Sequence, residues 1–281
     1  MPDETIQTVK PVSSIKFGEI FKEAFRLYKT NFVGLTGVFL IPLLVAEAVN
    51  YFLSGSPVGT LGNWEIPLVI GVALVLWGCG ILETLSVLRG SVLTDKGQFG
   101  FSETLSFAFA KFIRAMGLSV RIFIYTGAWA VFLVGIISFA GMLPGIIGLS
   151  ATKDFEGMIR FLLPAAIFGP IVMIVLILIL MKRFMSVTFA FAILASNDDI
   201  SSREALMKSI ELSDKKTGTI FSNYFLYGLV VVIISIIVSQ IFAQIAGAEY
   251  IGTVISDIFL GVLGSVFQYA FLKKMKEEKG L

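Results

Sequence analysis

The stretch FGEIFKEAFRLYKTNFVGLTGVFLIPLLVAEAVNYFL, residues 17–53, carries two hydrophobic patterns in succession. In its first half, Ile20, Phe21, Ala24, Phe25 and Tyr28 fall on one helical face, with Glu19, Lys22, Glu23, Arg26 and Lys29 opposite. That spacing predicts an amphipathic surface helix. In the second half, Phe32–Leu53, a single charged residue, Glu47, interrupts an apolar run. A helix crosses a bilayer with about 20 apolar residues, so this run is long enough to span. The first unit expected is therefore a surface helix that turns into the membrane.

Five more runs follow: Pro67–Leu88, Leu118–Met142, Leu162–Met181, Ile220–Ala243 and Ile251–Leu272. At 1.5 Å per residue each run would be ~30–37 Å long, enough to cross with some tilt. The chain is 56% apolar and only 15% charged over 281 residues, more apolar surface than a single soluble core of that size hides. The expected class is all-α and polytopic, with six transmembrane helices.

The basic residues give an orientation. All 22 lysines and arginines except Lys153 and Arg160 lie before the first run, between the second and third (Arg121 just inside the third), between the fourth and fifth, or after the sixth. Cytoplasmic loops accumulate Lys and Arg, so both termini are expected inside, in a multi-pass plasma-membrane protein. Residues 1–14 are polar and read as a disordered cytoplasmic tail ahead of one membrane domain, 15–281. They hold no signal-peptide core, and Ala46-Glu47-Ala48 follows a full-length span, so the first span is expected to be retained.

Two further amphipathic stretches precede odd-numbered spans. In Ser102–Met116 the residues Leu105, Phe109, Phe112 and Ile113 are apolar, and Ser102 reads as the N-cap. In Ser201–Lys216 the pair Ser201 and Glu204 has capping-box spacing. Glu19, Glu103 and Glu204 stand near the starts of the three stretches. The expectation is three cytoplasmic interfacial helices and a threefold repeat of surface helix, span out, span back; any hairpin membrane protein would show some of this rhythm. After the fourth span, Lys182 and Arg183 are followed by the apolar Phe184–Ala195. Either the span ends at the basic pair, or one long helix carries the pair into the headgroup layer, the reading that alignment with the second span favours. Pro42, Pro164 and Pro170 are expected to open kinks, and Pro144 between Gly141 and Gly145 reads as a span end.

The chemistry open to such a chain is narrow. It has no histidine and one cysteine, Cys79 in an apolar run, which removes histidine-based nucleophiles, histidine metal sites and any intrachain disulfide. It has no P-loop and no dinucleotide-binding glycine fingerprint, so no cofactor and no enzymatic activity are expected. A net charge of +2 argues against nucleic acid as a partner. Asp198 and Asp199 read as favourable helix-start charges.

Intramembrane charges are the remaining candidates. Glu83, Arg121, Lys182 and Arg183 lie at similar inner depth, either as ion pairs that lock helix ends or as the lining of a polar cavity. Glu47 and Asp257 lie ~9 Å from the outer ends of the first and sixth spans, where two carboxylates can share a proton if the helices adjoin. Alternatively each caps a polar neighbour such as Asn50 or Gln240, or reaches the outer water. At the inner surface, Phe21, Phe25, Tyr28, Phe109 and Phe112 are expected at headgroup level, with Lys22, Arg26, Lys29 and Lys111 beside anionic lipid.

The segments FGEIFKEAFRLYKTNF (Phe17–Phe32) and SREALMKSIEL (Ser202–Leu212), with Arg183 ahead of the second, resemble the membrane domain of some bacterial glycerophosphodiester phosphodiesterases and its stand-alone six-span relatives. The resemblance rests on aromatic and charge pattern over nearly the whole chain. It implies six helices, interfacial helices and cytoplasmic ends. In such enzymes the hydrolytic chemistry belongs to a separate soluble barrel, so no hydrolase activity is implied here. Two functions are expected: a non-enzymatic protein that organises membrane lipids or docks a protein partner at the cytoplasmic face, or a small transporter or permease component using the intramembrane carboxylates.

Overall fold

The computed structural model describes residues 15–54, 65–151, 174–245 and 249–281. The N-terminal tail, Lys153, Arg160, Pro164, Pro170 and residues 162–173 of the expected fourth span lie outside the described residues. Among the described residues every element is a helix: α1 (Phe17–Thr30), α2 (Phe32–Ser54), α3 (Glu65–Asp95), α4 (Phe101–Ala151), α5 (residues 174–187), α6 (Ala190–Ser196), α7 (Ser202–Ser213), α8 (Thr217–Ala243) and α9 (Glu249–Lys279). Among the described residues, five segments are long and apolar enough to cross a membrane: Phe32–Val49, Pro67–Asp95, Ile174–Ser196, Thr217–Ala243 and Val254–Lys279. The third expected run, Leu118–Met142, is the middle of α4.

The amphipathic stretches differ in how they meet the long helices. Asn31 alone separates α1 from α2, with φ −141° and ψ 45°, and its side-chain amide donates to Thr94 Oγ1 at 3.3 Å. Between α7 and α8 the chain reverses through Lys215 in the left-handed region, φ 62°. No such residue lies between Ser102 and Leu118. A lone Gly117 costs a helix only about 1 kcal/mol, so α4 runs on for 51 residues, ~76 Å at 1.5 Å per residue. The expected turn from a separate surface helix into the third span is therefore absent. Two smaller expectations are corrected with it: α4 starts at Phe101, which puts Ser102 inside the first turn, and α4 continues through Pro144 to Ala151. The capping box at α7 is present, with Ser201 Oγ accepting from the Glu204 N–H and the Glu204 carboxylate accepting from the Ser201 N–H.

The segment after the fourth span keeps the basic pair inside a helix, as the favoured reading expected, but with an interruption beyond it. Helix α5 carries Lys182 and Arg183 within it, then breaks at Thr188 and Phe189 before α6 resumes. Ser209 on α7 occupies the break, its hydroxyl donating to Ser186 O at 2.9 Å and accepting from the Phe189 N–H at 3.2 Å. A neighbouring hydroxyl thus satisfies backbone groups that the interrupted helix frees.

Helix α3 organises the packing, touching α1, α2, α4, α6 and α9. Its two halves differ. Leu85, Leu88 and Leu93 are buried, whereas Leu68, Val69, Ile70 and Leu74 are 42–61% exposed. The core gathers at the end where α1, α6 and α7 collect, filled by Leu27, Leu88, Leu118, Leu194, Phe267 and Phe271, all below 2% exposed. Gly90 lets α2 and α3 approach there, since a Cβ would stand 2.9 Å from a Leu35 methyl and 3.2 Å from the Phe99 ring. Between lipid-embedded helices, close packing and polar links drive association, because lipid tails are as apolar as leucine.

Candidate functional site

The charged residues of the packed end join helices far apart in sequence. One turn of α1 sets Glu23 beside Arg26, whose guanidinium donates to both carboxylate oxygens at 2.8 Å. Arg26 also reaches Asp95 at the end of α3, 3.0 Å away. Lys273 of α9 lies 3.0 Å from Glu23 and 2.9 Å from Asp95, and the Tyr269 hydroxyl donates to Asp95 at 3.2 Å. Two acids and two bases therefore close a ring across α1, α3 and α9. The Arg26 hydrogen bond, supported by Lys273, holds the Glu23 carboxyl at about 2 against the opposing effect of burial. Glu23 in turn raises the Arg26 guanidinium above its usual range.

A second link centres on Arg89 of α3, only 8% exposed. Its guanidinium pairs with Asp198 at 3.0 Å, approaches Glu103 at 4.0 Å, donates to Ala195 O at 3.3 Å and lies 4.1 Å over the Phe107 ring. One cation thereby fastens α3 to the start of α4 and to the α6–α7 connection. Asp198, read from sequence as a helix-start charge, is an ion-pair partner. A third link joins the α7–α8 turn to α9, with Lys216 2.6 Å from Glu278 and Lys279 Nζ donating to Glu211 O at 2.8 Å.

The surface residues expected at headgroup level divide. Tyr28 is 4% exposed and packs edge-on against Phe32 and Phe259, with ring centroids 5.1 and 5.3 Å away. Phe21 is half-buried against Phe17, and Phe112 packs on α3, where a Cβ on Gly78 would stand 3.3 Å from its ring. Arg26 belongs to the ionic ring. Lys111 lies 5.7 Å from the Phe107 ring centroid. Lys22, Phe25 and Lys29 on α1, and Phe109 on α4, stand exposed, as does Arg26 despite its place in the ring. The buried stripe of α1 is Ile20, Ala24 and Leu27, facing α9 and α3, so Phe25 points away from it with Lys22 and Lys29.

The intramembrane candidates are not brought together as one set. Glu83 is half-buried on α3 and Arg121 exposed on α4, and neither makes an ion pair with a described residue. Arg183 donates to Tyr125 O at 2.9 Å and lies 4.9 Å over the Tyr125 ring, while its neighbour Lys182 is exposed. Glu47 on α2 and Asp257 on α9 are both exposed, and Asp257 makes no hydrogen bond or ion pair with a described residue.

Sequence reasoning missed Asp95, Tyr269 and Lys273 as a group and did not single out Arg89. Asp95 and Lys273 are 178 positions apart, a separation that leaves no local signal. Their common place, just beyond the expected ends of the second and sixth spans, was the available clue. Compared with known proteins, the chain matches no family model, no curated protein and no solved structure.

Proposed function

We propose that this chain is a non-enzymatic plasma-membrane protein of six spans, with both termini and the packed end in the cytoplasm, that organises lipid at the inner surface. The outward stripe Lys22–Phe25–Lys29 carries this reading. Positions 22, 25 and 29 recur at helical spacing, and Phe25 is 48% exposed between two lysines that have no acidic partner among the described residues. The helix beneath cannot swing away freely, because Ile20, Ala24 and Leu27 are fully buried and the ionic ring ties it to α3 and α9. An aromatic ring at headgroup depth flanked by bases suits an anionic bilayer surface, where each base contributes on the order of 1 kcal/mol. The sidedness of the lysines and arginines supports the orientation. Glu19, Glu103 and Glu204, each in the first turn of its helix, support a threefold repeat. The likeness of Phe17–Phe32 and Ser202–Leu212 to the phosphodiesterase-associated membrane domain points the same way.

The test is lipid analysis of the purified protein. Wild type is expected to carry an excess of anionic lipid over the host membrane, and the double variant Lys22→Glu, Lys29→Glu to lose most of it. An unchanged lipid profile would remove the proposal. A second reading, a small transporter, draws on Glu83, a half-buried carboxylate with no ion-pair partner among the described residues. It requires pH-dependent flux in proteoliposomes that Glu83→Gln abolishes.

A further inference from the structure

The turn between α7 and α8 runs Ser213-Asp214-Lys215-Lys216-Thr217. The Asp214 and Lys216 N–H groups are used within it, bonding to Glu211 O at 3.3 Å and Ser213 O at 3.1 Å. Helix α8 then starts with no side-chain cap and no acidic residue in its first turn. Its leading N–H groups have no acceptor within the helix, and the positive end of its dipole has no local counter-charge.

A crevice of about 450 Å³ opens beside this helix start. Across it stand Lys182 and Arg183 of α5. Arg183 is held in place by the Tyr125 carbonyl and ring, so its charge is fixed there. Ser213 also lines the crevice, is 1% exposed, and its hydroxyl has no hydrogen-bond partner among the described residues. A buried hydroxyl without a partner is a costly feature that calls for a ligand or another explanation. Asp214 adds one carboxylate to the lining. The crevice thus offers two cations, an uncapped helix N-terminus and a buried hydroxyl for an anion, with a carboxylate beside them for a cation.

We propose that this crevice binds a phosphate-bearing headgroup that also carries an ammonium group, the phosphate between Lys182, the Ser213 hydroxyl and the start of α8, and the ammonium against Asp214. A helix N-terminus with adjacent bases is a ready phosphate site. The ligand class is phosphoethanolamine-like, either the headgroup of a phospholipid or a free soluble compound. The lipid source fits the surroundings: Ile179, one turn before the basic pair, lines the crevice, and the α5 surface beyond it exposes Val175 and Leu178, along which acyl chains can lie. This inference deepens the lipid-organising reading but concerns α5 and α8, so the α1 variants and the crevice variants can fail independently.

The experiment is native mass spectrometry of the full chain, delipidated in mild detergent, titrated with phosphatidylethanolamine, phosphatidylglycerol or soluble phosphoethanolamine. The Lys22→Glu, Lys29→Glu protein, which lacks the α1 site for anionic lipid, is expected to prefer phosphatidylethanolamine over phosphatidylglycerol. Lys182→Ala combined with Ser213→Ala should weaken that binding about tenfold, the size of one lost charge-assisted hydrogen bond. Asp214→Asn should remove the preference for the amine headgroup while keeping phosphate-dependent binding. Lys182 is exposed and Ser213→Ala deletes an unpartnered hydroxyl, so both variants should melt as wild type does. Displacement of the lipid by soluble phosphoethanolamine assigns the site to the soluble compound, and failure to displace assigns it to lipid. Equal binding of both lipids in the Lys22→Glu, Lys29→Glu background, or crevice variants made in it that bind as their parent does, would overturn the proposal.

Discussion

The two halves of α3 are both rich in apolar residues and opposite in the fold. Leu88 is fully buried where five other helices crowd around α3, and Leu74 on the same helix is 53% exposed. The same contrast separates α8 from α9: in α8 only Ile220 and Asn223, near its start, are buried, whereas α9 buries Val262, Leu263, Val266, Phe267, Ala270 and Phe271 among others. Hydrophobicity sends all of these segments to the membrane, but polar links decide which of their surfaces meet protein. The buried half of α3 ends in Asp95 and carries Arg89, and each reaches other helices through ion pairs. The exposed half carries no charged residue from Pro67 to Ile81.

The largest effect should come from leucine truncation. Leu88→Ala is expected to lower stability in micelles by about 2–5 kcal/mol, and Leu74→Ala by under about 0.5 kcal/mol. Equal losses in a denaturant titration would break the contrast between the halves. Lys273→Met comes next, since it leaves Glu23 and Asp95, at 16–17% side-chain exposure, to share Arg26 alone, at a cost of about 1–3 kcal/mol. Adding Asp95→Asn to that background should restore part of the loss, and no recovery would mean that the ring does not act as a unit.

The pH response sharpens the same point. Glu23 has its carboxyl lowered from 4.5 to about 2 in the fold, so the folded state binds fewer protons than the unfolded chain between these values. The Glu23 contribution is therefore complete above pH 4.5 and is lost as pH falls toward 2. After solvent screening it amounts to about 1 kcal/mol. Melting curves of wild type and Glu23→Gln should converge as pH drops through this window, and a constant gap would contradict the assigned role. The smallest effect is expected at Lys215, whose left-handed backbone costs about 1 kcal/mol or more for a non-glycine residue. Lys215→Gly should raise the melting temperature slightly, and a clear drop would show that its side chain has another role.

Much of the fold was legible because single-helix patterns carry it. The spacing of Ile20, Phe21, Ala24, Phe25 and Tyr28 gave α1, the apolar runs gave the long helices, and Ser201 with Glu204 gave the start of α7. What depends on contacts between distant segments was not legible. Phe25 and Tyr28 look alike on a helical wheel, yet α9 covers Tyr28 and leaves Phe25 outside. The break at Thr188 and Phe189 is bridged by the Ser209 hydroxyl on another helix, which no local signal announces. The continuity of α4 was misjudged because amphipathicity was allowed to imply a turn, although no residue in the stretch forces one.

The central claim is that the packed, ion-paired end of the bundle faces the cytoplasm. Membrane-impermeant thiol labelling of intact cells tests it most directly, using a Cys79→Ser background with cysteine placed at Lys22, Lys279 or Ser56. The account predicts that Ser56→Cys reacts from outside, while Lys22→Cys and Lys279→Cys react only after the membrane is opened. Labelling of Lys22→Cys or Lys279→Cys on intact cells would contradict it.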